Sequence, residues 1–233
     1  MRVGSGECET SGVSIFGDRV TVPSDASASA WLLSRLGSSG TVGGLVPSGF
    51  EGYAFVRRSP SDDVDDEGAE LASELAVLAG PHTSTPDLIW YAIWEGYGWG
   101  TATTLYAAPS GPLGWVVNVR ARRQQRRAVR DRSVRVREGL GQVPSFDVPL
   151  RRYFLVEGAL ESVSAIARPE GSGFQVPDLW WPQDRNWFVA SDTDLDWSYV
   201  GGSEAFVARV LEAFPGRSQV VERTDPITSL AEA

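Results

Sequence analysis

Four of the nine tryptophans crowd into residues 179–203: Trp180, Trp181, Trp187 and Trp197. Asp184, Arg185, Asp192, Asp194 and Asp196 are interspersed among them. Large aromatics beside strands are core material more often than binding surface, so this stretch constrains the chain to a fold with a strand-built interior around it. Trp187–Ser191 reads as a strand, because large and β-favouring residues follow a polar turn. Pro182 lacks a donor and restricts Trp181, which puts the Trp180–Trp181 pair in extended chain just before that strand. Gly201–Gly202 reads as the end of the stretch, and Ser203 as the N-cap of a helix running to Phe214. That helix gathers Phe206, Val207, Val210, Leu211 and Phe214 on one side.

The remainder alternates between both kinds of element. Val13–Val22 reads as a hairpin turning at Gly17-Asp18, and Ser24–Leu36 as a helix stopped by Gly37. Val42–Pro47 reads as a connector and Glu51–Arg57 as a strand. A polar loop over Ser59–Glu67 holds five acids. It leads into a helix with Leu71, Leu75 and Leu78 on one face, ended by Gly80-Pro81. Leu88–Trp94 is a nearly continuous apolar run, the pattern of a central strand buried on both faces. Leu150–Glu157 is a further strand, Ala159–Ile166 a short helix, and Ser218–Glu222 a last short strand. Strands and helices mix without strict βαβ alternation, which predicts an α+β fold: a mixed sheet with flanking helices in a single domain over 1–233. An arginine-rich insert at about 113–140 is expected to project, and the tail from about 224 to be mobile.

The leading stretch carries a resemblance. Leu179–Trp187 and Asp194–Ser203 resemble a family of actinobacterial proteins with a Leu-Trp-Trp-Pro-x-Asp-Arg-x-Trp signature, an acidic turn and then Tyr-Val-Gly-Gly-Ser. Residues 46–54 and 90–98 look like the same family, with Phe55-Val56 standing where relatives tend to have Arg-Ile. The resemblance implies relatives but no activity. A looser similarity, of type only, is to the acidic α+β immunity proteins of bacterial toxin systems.

Charge narrows the choice of partner. Net charge is −9, and all 21 basic residues are arginine. Hydrophobic residues make up 42% and charged ones 22%, ordinary for a globular domain. Residues 120–137 hold nine arginines and one acid, leaving 12 arginines against 29 acids elsewhere. Arg120, Arg123, Arg127 and Arg130 share one helical stripe. Three readings stand for this segment: folding back on the chain's own acidic loop, contact with an acidic partner or membrane surface, or contact with nucleic acid. The acidic remainder makes nucleic acid the weakest of the three. No apolar run reaches the length of a membrane span. The first residues lack a signal-peptide core, and the single cysteine, Cys8, allows no intrachain disulfide. Cytoplasmic residence is therefore expected.

The chemical motifs fail one by one. Asp192, Asp194 and Asp196 match the first ligands of an EF-hand loop, but Trp197 stands where glycine is needed and Ser203 where glutamate is. The three aspartates remain a weak candidate for a looser cation site. Gly96, Gly98 and Gly100 lack the third glycine of a dinucleotide fingerprint, since position 101 is Thr101. His82 is the lone histidine and sits in a connector, with no Gly-x-Ser-x-Gly to serve. No catalytic set is assigned and no cofactor expected. The expected job is protein binding by a non-enzymatic module such as an immunity or inhibitor protein, with Trp94, Glu95, Trp99, Trp180, Trp181, Asp184 and Arg185 as candidate contacts. Arg185 has a competing structural reading, an internal clamp on an acid such as Glu95. Two alternatives stay open. One is a ligand pocket lined by Trp180, Trp181, Trp94 and Trp99, with Arg185 and Glu95 as polar contacts. The other is carboxylate hydrolysis using Glu95 with Asp192 or Asp194.

Overall fold

The structure, a computed structural model, describes residues 15–59, 64–97, 134, 136–149, 151–168, 175–192 and 195–227. Trp99, Asp194 and Arg120, Arg123, Arg127 and Arg130 lie outside the described residues.

The α+β class holds. A nine-stranded sheet organises the chain. In chain order its strands are β1 (Val20–Thr21), β2 (Gly52–Arg57), β3 (Ile89–Trp94), β4 (Ser145–Val148), β5 (Arg151–Gly158), β6 (Leu179–Pro182), β7 (Phe188–Ser191), β8 (Trp197–Gly202) and β9 (Ser218–Val220). They lie in the order β1-β5-β3-β6-β7-β8-β2-β9, with β4 beside β5. Every pair is antiparallel. The apolar run at 88–94 forms β3, an interior strand between β5 and β6, with Ile89 to Ile93 buried.

Strand alternation divides the interior into two cores. On one face Tyr91, Ile93, Val156, Trp180, Trp187, Val189 and Val200 pack against helices. These helices are α3 (Val64–Ala79) and α4 (Glu204–Ala213), with a 3-10 helix over Leu160–Ala165. α3 buries Leu71 and Leu75 as its spacing predicts, and α4 buries Phe206, Val207 and Val210. The Ser203 hydroxyl accepts from the Phe206 N–H at 3.2 Å, confirming the cap. On the other face Trp90, Leu155, Trp181, Phe188 and Tyr199 meet Trp31, Leu32, Val42, Val46 and Val221. That cover is made of short pieces, α1 (Ala30–Leu33), α2 (Val42–Leu45) and the segment after β9.

Several expectations need correction. The Trp180–Trp181 pair lies inside a strand, since β6 pairs with β3 and β7, and Pro182 is tolerated as its last residue. Gly201 and Gly202 do end the stretch, but as paired strand rather than as a turn. They belong to β8, paired with Tyr53 and Gly52. The expected hairpin over Val13–Val22 does not form among the described residues: Gly17 turns with φ 97°, but Val20 and Thr21 pair with β5. The helix over Ser24–Leu36 shrinks to a 3-10 turn (Ser27–Ser29) and α1, with Asp25 Oδ1 accepting from the Ser27 N–H at 2.8 Å. The connector at 42–47 contains the buried helix α2, and Asp65, Asp66 and Glu67 lie in α3 rather than in a loop.

The end of the arginine-rich segment and the start of the tail also differ from expectation. Residues 136–140, at the close of the segment expected to project, are helical and bury Val136 and Leu140 in the helix-side core. Their i, i+4 spacing puts both on one helical face. The tail is tied down through 227: the Val42 and Gly43 N–H groups donate to the Asp225 and Arg223 carbonyls at 2.9 and 2.8 Å, and Ile227 N–H donates to Gly40 at 3.0 Å. Among the described residues no helix is long and apolar enough to cross a membrane.

Candidate functional site

The antiparallel register sends the candidate residues to two opposite ends of the sheet. β3 finishes at Trp94 where β5 and β6 begin and β7 finishes, so residues 94–97, 151–153, 178 and 191–192 meet at one end. The turn joining β6 to β7, with Asp184 and Arg185, lies at the other.

The first end holds a buried polar cluster centred on Asp178, which is only 2% exposed. Its Oδ2 accepts from the Trp94 backbone N–H at 2.7 Å and its Oδ1 from the Tyr97 hydroxyl at 3.0 Å. Burial pushes its pKa up to about 7, against those two hydrogen bonds; Asp192 adds to the rise and Arg151 opposes it. Beside it, Arg151 forms a 2.7 Å ion pair with Asp192 and lies 5.0 Å over the Trp94 ring. Desolvation works against the Arg151 cation, but Asp192 and the Tyr153 hydroxyl outweigh it and raise its pKa. Burial and the Asp178 charge likewise push the Tyr153 hydroxyl upward. The Asp192 carbonyl accepts from Arg58 at 3.4 Å. The arrangement can hold one proton near neutrality and ties four strand ends together.

Sequence reasoning missed Asp178, Arg151, Tyr153 and Tyr97. No motif surrounds Asp178. The one available signal was an acid abutting the apolar run Leu179-Trp180-Trp181, a position where a carboxylate is drawn into the core.

The second end is built differently. The Asp184 carboxylate accepts from the Thr83 hydroxyl at 2.9 Å, the Ser84 N–H at 2.6 Å and the Ser84 hydroxyl at 2.9 Å, and from Asn186 N–H groups at 3.2 Å. Burial would raise its pKa, yet these bonds, led by the Ser84 N–H, lower it. Asp184 therefore fastens the β6–β7 turn to the 83–85 loop and is not offered to a ligand. The neighbouring His82 ring packs against Phe206 at 5.4 Å.

The remaining candidates separate. Trp180 and Trp181 are both 0% exposed and point to opposite faces of the sheet, so no single pocket is lined by the two. Trp180 meets Trp187 edge-on at 5.2 Å, and Trp181 stacks on Phe188 at 5.6 Å. Trp94 is half-buried beside the Asp178 cluster, and Glu95 is exposed with Arg152 at 3.9 Å. The Arg185–Glu95 clamp does not form, because the two residues sit at opposite ends of the sheet; Arg185 lies instead 5.2 Å over Trp31. Of the aspartate turn, Asp192 is paired with Arg151 and Asp196 is exposed, while Asp194 lies outside the described residues. Among the described residues no cluster of three metal-ligating side chains occurs. Of the two partners expected for Glu95 in hydrolysis, Asp192 is paired with Arg151, and Asp194 lies outside the described residues.

No family model, curated protein or solved structure matches this chain. The functional reading rests on geometry and charge.

Proposed function

We propose that this protein acts by binding another protein of basic character, as an inhibitor or immunity protein does. The observation that carries the reading is the outward stripe of α3. Glu70, Glu74 and Val77 recur at helical spacing on its solvent side, and all three are exposed. Among the described residues neither glutamate has an ion pair, and Val77, at 76% exposure, is the most exposed of the large hydrophobics. Glu161, also exposed, stands on the 3-10 helix packed beside α3. An apolar contact point amid uncompensated acids suits a partner whose lysines and arginines surround a small apolar depression. The tryptophans contribute by holding the sheet rigid behind the stripe.

Affinity capture from the source cell, followed by titration of the purified partner, tests this. A basic protein should bind wild type, more weakly at high salt than at low, and Glu70→Arg with Glu74→Arg should slow association and reduce affinity at least tenfold, about 1.4 kcal/mol. Capture that is indifferent to both charge reversal and salt would sink the reading.

A second reading draws on Asp178. A buried carboxylate with a pKa near neutrality beside two tyrosines and an arginine is the kind of group found at acid–base sites. Its two oxygens are both engaged by Trp94 and Tyr97, which favours a structural role.

A further inference from the structure

On the opposite face of the sheet from α3, two arginines converge on one indole. The Arg185 guanidinium carbon lies 5.2 Å from the Trp31 ring centroid and that of Arg35 lies 5.7 Å from the same centroid. Both arginines are exposed, and among the described residues neither forms an ion pair. The nearest carboxylate in sequence, Asp184, is charged but turned to Thr83, Ser84 and Asn186. A third arginine adds to the charge: Arg223 donates to the Arg35 carbonyl at 2.9 Å. In a chain of net charge −9 this gathers three arginines in one place.

The focus is positioned by its surroundings. Trp31 is held edge-on by Trp181 at 6.2 Å and Phe188 at 6.0 Å, so the platform cannot turn. Arg35 reaches the Ser48 carbonyl at 3.4 Å, and Gly49, at φ 110°, has no Cβ to collide with its guanidinium. Arg185 has φ 58°, the one non-glycine residue with positive φ among those described. A residue held in that sparsely populated region is strained unless its surroundings demand it. The Asp184 hydrogen bonds supply the demand, and the result aims the guanidinium at Trp31. The Trp31 indole N–H is buried and makes no hydrogen bond within the protein.

We infer that Arg35 and Arg185, mounted on Trp31, form an oxyanion-binding site for a carboxylate or phosphate group. Guanidinium forks match the oxygen pairs of both, and the ring's attraction holds each cation near the same indole in advance. The site is independent of the α3 stripe, since it stands on the other core and carries the opposite charge.

The test is a titration of the whole protein with inorganic phosphate, acetate and chloride at matched ionic strength, following the Trp31 indole N–H resonance and the melting temperature. Phosphate or acetate should shift the Trp31 resonance saturably and raise the melting temperature, while chloride does neither. A response to phosphate alone identifies a phosphoryl ligand, and a response to acetate as well identifies carboxylates. Arg185→Gly should abolish the response without lowering the unliganded melting temperature, because glycine accepts the left-handed backbone freely. Arg35→Gln should weaken it at least tenfold. An equal response to chloride, no response at all, or a response that survives Arg185→Gly overturns the inference.

Discussion

Asp178 shows how one side chain makes the fold sensitive to pH. Its carboxyl ordinarily titrates near 3.8 and is pushed up to about 7 in the folded chain. Between those values the native state holds a proton that the unfolded chain has released, so stability falls as pH rises through that window. A tenfold difference in proton affinity is worth about 1.4 kcal/mol, so the loss across the window amounts to a few kcal/mol. Asp178→Asn keeps an acceptor for the Trp94 N–H and removes the charge. Urea denaturation at pH 5 and pH 8 should show wild type losing stability at the higher pH, and the variant losing that slope. A slope unchanged by the substitution would mean that Asp178 is charged at neutrality. Nothing in the sequence around 178 distinguishes this aspartate from Asp192, fourteen positions on, which the fold commits to an ion pair.

At the scale of elements, β8 carries the clearest constraint. Gly201 and Gly202 sit side by side in a paired strand, where glycine is ordinarily a weakness. Their reason is close packing on both faces. A Cβ on Gly201 would come within 2.7 Å of the Phe50 ring and 2.9 Å of Val46, and one on Gly202 within 2.5 Å of the Phe206 ring. The bare backbone lets the 46–50 connector close on one face and α4 close on the other. Gly201→Ala and Gly202→Ala should each cost about 1–3 kcal/mol, the usual penalty for overpacking. Thermal melts of the single variants check this, and neutral substitutions at both positions would show that the rings move aside cheaply. The dipeptide is legible as a terminator because glycine is a common stop, but the Phe50 ring that Gly201 must admit is about 150 residues away in sequence.

For the molecule as a whole, charge and edges set its behaviour towards partners. The sheet ends in short strands, β1 with two residues and β9 with three, and β4 and β1 share the outer edge of β5. Brief edges offer little template for pairing with another chain. The two surfaces proposed for contact lie instead on the outer layers, acidic over α3 and basic around Trp31. The arginine stripe lies outside the described residues, and its prediction stands on sequence alone. Replacing Arg120, Arg123, Arg127 and Arg130 with glutamine should change folding stability by less than about 1 kcal/mol, as exposed ion pairs usually do. Denaturant melts measure it. A loss of folding would show those guanidinium groups to be paired in the interior.

Local pattern alone determined much of the framework: β2, β3 and β5, α3 and α4, the Ser203 cap and the α+β class. Each of these carries its own periodicity or its own capping residue, which are properties of neighbours along the chain. Tertiary structure decided the rest. Trp180 and Trp181 became core on opposite faces because β6 gained two strand partners, from residues 89–92 and 189–190. Asp178 acquired its raised pKa where strand ends meet, and Arg185 parted from Glu95 because an antiparallel register carries them to opposite ends. Those outcomes depend on which strands lie side by side. That pairing is a sum of long-range contacts which no short window of sequence contains.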